Sequence, residues 1–170
     1  MKKLFTIFAL FLAVGLTAQF AVAQDNKNKT DDKETLIKAA RLLEEKPFDK
    51  DAKKIREWAM FYIIQTKDVS VTICTNAITS ATDKKNKNGS ELFGQYTIGM
   101  AAFKLENPDK ASDEIAAQLA GAESMLKAYE AMVKEKPKAQ FADLDALVEK
   151  RNKNELAAFV AANGCKEDKK

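Results

Sequence analysis

The chain has 170 residues, with 28 lysines and arginines against 25 aspartates and glutamates, two cysteines and no histidine. The lack of histidine excludes His-dependent triads, His–Cys dyads, His-ligated zinc hydrolase centres and haem held by histidine. A net charge of +3 with the two signs intermingled offers no broad electrostatic reason to bind nucleic acid or an anionic membrane.

The first 23 residues have the three parts of a secretory signal. Met1, Lys2 and Lys3 make a positive end, Leu4 to Leu16 an apolar run, and Ala21-Val22-Ala23 a small-residue site, so cleavage is predicted between Ala23 and Gln24. As a membrane span the run falls short of the roughly 20 residues required, and Thr17 and Gln19 dilute it. Gln24, where a lipoprotein has cysteine, points away from a lipid anchor. A secreted or periplasmic product is expected, with no stable membrane insertion after cleavage. Taking 23 residues from 170 leaves 147, enough for one domain, and removes two lysines, leaving 26 basic residues against 25 acidic ones.

Residues 24–30 are polar and charged and are expected to form a disordered leader. A single helical domain is predicted over 31–165, followed by a frayed charged tail over 166–170. Asp31 and Glu34 have the form of a capping box, and Leu36, Ala39, Ala40 and Leu43 keep helical spacing until Pro47. A second helix from Asp49 or Asp51 places Ile55, Ala59 and Tyr62 on one stripe. Trp58, Phe61, Ile63 and Ile64 widen that stripe, which predicts a deeply buried helix, paired with the first as a hairpin.

Val69, Val71 and Ile73 alternate with Ser70, Thr72 and Cys74, the pattern of a half-buried strand. No second alternating run offers itself as a partner, and a lone strand leaves its backbone groups unsatisfied. Ile73, Ala77, Ile78 and Ala81 also share a helical face, so Val69 to Ala81 is predicted as helix, with Asp83 to Gly89 a polar loop. Ser90 is a plausible cap for a central helix, apolar on more than one side through Leu92, Phe93, Tyr96, Ile98, Met100, Phe103 and Leu105. Asn107-Pro108 ends it.

Asp109 or Ser112 begins a long helix that runs to Pro137. Its core stripe is Ile115, Leu119, Ala122, Leu126, Tyr129 and Val133, and Glu123, Lys127, Glu130 and Lys134 form a solvent face of favourable i, i+4 pairs. Two shorter helices follow, one through Phe141, Leu144, Leu147 and Val148, the other capped by Asn154 and carrying Leu156, Phe159 and Val160 before an Asn163-Gly164 stop. Pro47, Pro108 and Pro137 all fall between predicted helices. The fold class is therefore all-α, six or seven helices paired as hairpins in a bundle or a short right-handed array.

Few residues carry chemistry. Cys74 and Cys165, in a chain bound for an oxidising compartment, are predicted to form a disulfide, with two buried free thiols as the alternative. Ser124 to Lys127 match the SxxK string of penicillin-recognising serine enzymes, without that class's further elements. Lys84 to Gly89 partly match an EF-hand loop through Asn86, Asn88 and Gly89, with Gln95 where the bidentate Glu belongs. Asp143, Asp145 and Glu149 suit the start of a helix, and Asn28 and Asn88 lie in glycosylation acceptor strings that matter only in a eukaryotic secretory route. No metal site, cofactor or catalytic constellation is expected.

Two candidate binding features remain. Ala117, Ala120, Gly121, Ala128 and Ala131 form a third face of the long helix, either plain helix-forming surface or a place where another helix approaches closely. Phe93, Tyr96, Met100 and Phe103 are candidate walls of an apolar pocket, or core. The paired helices, with Tyr129 eight residues before Pro137 at a helix exit, resemble tetratricopeptide-repeat proteins over Gly94 to Pro137, although Met125 and Met132 replace the expected small residues and no 34-residue period recurs. That resemblance implies a groove for a peptide or protein partner. The function expected is binding of a protein or peptide between hairpins. The alternative is a helical bundle that carries an apolar small molecule or lipid.

Overall fold

A computed structural model describes residues 19–165, with side chains from Asp32 onward. Residues 1–18 of the predicted 1–23 signal and the tail over 166–170 lie outside the described residues, as do the side chains of Ala23 and Gln24. The chain divides into two compact units, 1–34 and 35–170, and the packing described below belongs to the second.

Among the described residues there are seven α-helices and no strand: α1 Gln19–Glu45, α2 Ala52–Gln65, α3 Thr79–Thr82, α4 Gly89–Glu106, α5 Glu114–Glu135, α6 Ala142–Asn152 and α7 Leu156–Asn163. The helical path of α1 runs back past Asp31 and through residues 24–30, so Asp31 is not its first residue. No glycine or proline interrupts that stretch. The three prolines lie between helices, and Pro108 and Pro137 each open a short 3-10 turn. Asp113 caps α5, its carboxylate accepting from the Ala116 amide at 2.9 Å. Asn154, expected to cap α7, has φ 60° and ends α6 instead. Asparagine tolerates that left-handed backbone better than most residues.

The helices pack antiparallel around α4 and α5. One core cluster joins α4 and α5 to α3, α6 and α7 through Leu92, Tyr96, Met100, Met125, Leu126, Tyr129, Leu144, Leu156 and Val160. A second joins α1, α2 and α4 through Leu36, Leu43, Ala59, Ile63, Ile98 and Ala101. Because α4 feeds both clusters, it is buried on nearly all sides, as its breadth of apolar residues predicts.

Two expectations are corrected. Val69 to Cys74 is neither helix nor paired strand: it is an irregular connection, and helix begins only with the 3-10 turn Thr75–Ile78 and α3. β-branched residues at every second position resist a helical start. Second, α2 is not deeply buried. Only Ala52, Ala59 and Ile63 are fully buried, Ile55, Trp58, Met60 and Tyr62 pack half-buried against the same cluster, and Phe61 is 65% and Ile64 72% exposed. The body covers one side of this helix and leaves the rest at the edge of the fold.

Candidate functional site

Cys74 and Cys165 lie at disulfide distance, their Cα atoms 5.5 Å apart, and the bridge spans 91 residues. It ties the start of the Thr75–Ile78 turn to the residue just beyond α7, two places held together by packing as well. Of the sequence-predicted pairs, this is the one the fold brings together across the chain.

The small residues of α5 do not form open surface. Ala117, Gly121 and Ala128 are buried and Ala120 and Ala131 half-buried. A methyl group on Gly121 would stand 2.6 Å from Met100 Cγ and 2.7 Å from the Tyr96 carbonyl oxygen, so glycine is what lets α4 come this close. The partner of that face is a helix of the same chain. Tyr96 and Met100 are fully buried in the core and Phe93 and Phe103 pack against it, so these four serve as core. Burial, and then the Glu114 carboxylate, push the Tyr96 hydroxyl up to about 12.

The polar strings resolve into structural roles. Ser124 Oγ, buried, donates to Glu44 Oε1 at 2.7 Å and accepts from Gln95 Nε2 at 2.8 Å; Gln95 also donates to the Ala40 carbonyl at 3.0 Å. Lys127 reaches Glu44 at 3.4 Å, and Arg41 bridges Glu44 and Glu106 at 2.9 and 2.7 Å. Ser124 and Lys127 thus share a carboxylate that locks α1, α4 and α5 together. A serine nucleophile needs an open approach, and this one is enclosed by that network. Asn86 donates to the Ser80 carbonyl at 3.3 Å and accepts from the Asn88 amide at 3.0 Å, so its side chain closes its own loop. Asp145 accepts from the Tyr129 hydroxyl at 2.6 Å and from Gln140 at 2.9 Å. Among the described residues no cluster of three or more His, Cys, Asp or Glu could hold a metal ion.

The large apolar side chains left exposed are Phe61 and Ile64 of α2 and Ile73 beside it. On one flank Ala39, Leu42, Ile55 and Trp58 floor a groove of about 450 Å³ between α1 and α2, with Lys38 and Lys54 in its lining. On the other flank Met60, Ile63 and Ile64 face Val69, Val71 and Ile73 across a groove of about 390 Å³. Phe61 lines neither groove and is 65% exposed, and Ile73 is 37% exposed. The irregular segment is anchored by Lys104, itself buried, whose ammonium donates to the Ser70 carbonyl at 2.8 Å and pairs with Glu114 at 2.5 Å.

Helical periodicity could not have found this surface. Apolar residues all round α2 carry the same signature whether neighbours cover them or not. The one hint is the excess itself: Trp58, Phe61, Tyr62, Ile63 and Ile64 are more apolar side chains than an edge helix needs for a single core contact.

The fold and its open face define an all-helical, disulfide-bridged protein. No helix among the described residues is long and apolar enough to cross a membrane. No protein-family model matches the chain, and neither curated proteins nor solved structures give a match.

Proposed function

We propose that this is a secreted or periplasmic binding protein that recognises another protein through the outer side of α2. The observation that carries this is the exposure of Phe61 and Ile64 on α2, a helix flanked by two grooves, one of which Ile64 itself lines. Contiguous exposed apolar surface is costly in a soluble chain and marks interaction sites. Aromatic anchors with aliphatic neighbours are the usual energetic centre of a protein interface. The hairpin that resembles tetratricopeptide repeats turns its small-residue face inward, so the interaction belongs to α2 rather than to that hairpin. Export is supported by the signal-like N-terminus and by the disulfide, which persists in oxidising compartments.

The alternative reading, carriage of an apolar small molecule or lipid, has one observation in its favour: the α1–α2 groove has an apolar floor of Ala39, Leu42, Ile55 and Trp58. The two are separated by placing a photo-crosslinking amino acid at Phe61 in the chain as produced by its own host. Protein recognition predicts a discrete adduct that disappears with Ile64→Lys and does not form from a probe at exposed Glu149. Absence of the adduct, together with a small molecule that leaves on unfolding in native mass spectrometry, replaces the protein reading with the ligand reading.

A further inference from the structure

We propose that Val69 to Ile73 is a strand whose partner is the same segment of a second copy of this chain, joining two copies in an antiparallel, two-fold pair. This rests on α2 and its flank being an interaction surface, and it names the occupant of the flank beside the irregular segment.

The segment behaves as a strand without company. Val69 and Val71 pack against the core clusters and Ser70 and Thr72 are exposed, an inward–outward alternation that stops at Ile73, itself 37% exposed. Cys74, directly after it, has extended backbone, with φ −108° and ψ 109°. Among the described residues no backbone amide from Val69 to Ile73 has a hydrogen-bond acceptor, and of their carbonyls only that of Ser70 is engaged, by Lys104. In an extended chain the N–H and C=O of one residue point to one edge and those of its neighbours to the other. Once the segment is drawn out as a strand, with the Ser70 carbonyl held on the body by Lys104, Val69, Val71 and Ile73 turn theirs to the opposite edge. An unpaired edge of this kind is a template for another strand.

The order of residues names the partner. Val69-Ser70-Val71-Thr72-Ile73 has the same pattern in both directions: apolar, hydroxyl, apolar, hydroxyl, apolar. A two-fold axis at Val71 sets Val71 opposite Val71, Val69 opposite Ile73 and Ser70 opposite Thr72. Apolar and hydroxyl pairs of these kinds stabilise a ladder, and no charge lies within the five residues to oppose its own copy. No other alternating run in the chain could fill the edge from within. The paired edge lies beside the groove that Ile64 and Ile73 line, and an isologous contact closes at two copies.

The test uses the full-length chain expressed with its own N-terminal segment. Sedimentation equilibrium should show a monomer–dimer equilibrium. Amide exchange followed by NMR should slow at Val69, Val71 and Ile73 as the dimer fills, and not at Ser70 or Thr72. Both of those residues are exposed, so charge can be introduced there without disturbing the core. The double variant Ser70→Lys with Thr72→Lys sets lysine against lysine twice and should weaken the dimer at least about fivefold, and Ser70→Glu with Thr72→Lys should restore it. A chain that stays monomeric to about 1 mM, a concentration that detects any useful affinity, overturns the proposal, as does a dimer indifferent to the charge pairs. A monomer that still crosslinks to another protein from position 61 overturns the strand pairing alone. A monomer with no such crosslink overturns the protein-recognition reading with it.

Discussion

Tyr129 shows how much one side chain can organise here. It lies in the core stripe of α5, and its hydroxyl donates to Asp145 at 2.6 Å while accepting the Phe141 amide at 2.8 Å, which seats the start of α6. Burial first, and then the bond to Asp145, push the hydroxyl up to about 12 from an ordinary 10.0. A pKa raised in the folded state means stability that is complete below pH 10 and lost as pH climbs through about 12. Tyr96, also pushed up to about 12, adds a loss in the same window. Tyr129→Phe should cost about 1–2 kcal/mol at neutral pH, because Asp145 and the Phe141 amide lose a partner. The same variant should also flatten the alkaline fall in stability. Urea unfolding at pH 8 and at pH 11 checks both.

At the scale of elements, α2 and the bridge give opposite lessons about edges. Ile63 and Ile64 are adjacent and chemically identical, yet one faces the core and the other is 72% exposed. Ile63→Ala should cost about 2–4 kcal/mol through lost burial and a cavity, whereas Ile64→Lys should shift stability by no more than about 0.5 kcal/mol. Thermal unfolding of the two variants measures the contrast, and near-equal effects would mean that α2 is covered after all. The Cys74–Cys165 bridge constrains a long loop of the unfolded chain, so Cys74→Ser with Cys165→Ser should lower stability by about 4–5 kcal/mol on the chain-entropy account. Reductant should lower the midpoint of the native protein and leave that of the double variant unchanged.

At the scale of the whole molecule, two hydrophobic clusters meet on α4 and are stitched together by one buried polar network. Gln95 on α4, Ser124 on α5 and Glu44 on α1 share hydrogen bonds of 2.7 and 2.8 Å. Apolar packing alone allows helices to slide against one another, and a hydrogen-bonded buried cluster is specific about register, here with Gln95 Oε1 left without a partner among the described residues. Ser124→Ala should cost about 1–3 kcal/mol, because the Gln95 amide and the Glu44 carboxylate both lose a partner in a buried site. A double-mutant cycle with Gln95→Leu should show coupling between the two, and strict additivity would dissolve the network into independent contacts.

The number of helices, their proline boundaries, the centrality of α4 and the cysteine pair were legible in the sequence. These depend on local rules: helical spacing of apolar residues, capping, the incompatibility of proline with a helix interior, and the presence of just two cysteines in the chain. The connection at Val69 to Cys74 was legible as alternation, yet its state was not, because a strand is defined by a partner that no local pattern supplies. Only the tertiary structure decided which apolar surfaces meet. It turned the alanine face of α5 inward onto α4 through the gap at Gly121, and it left α2 at the rim with Phe61 and Ile64 in the open. The physical reason is that periodicity records which side chains avoid water, while coverage depends on how many neighbours the fold brings to each side. In this chain α4 receives neighbours all round and α2 on one side only.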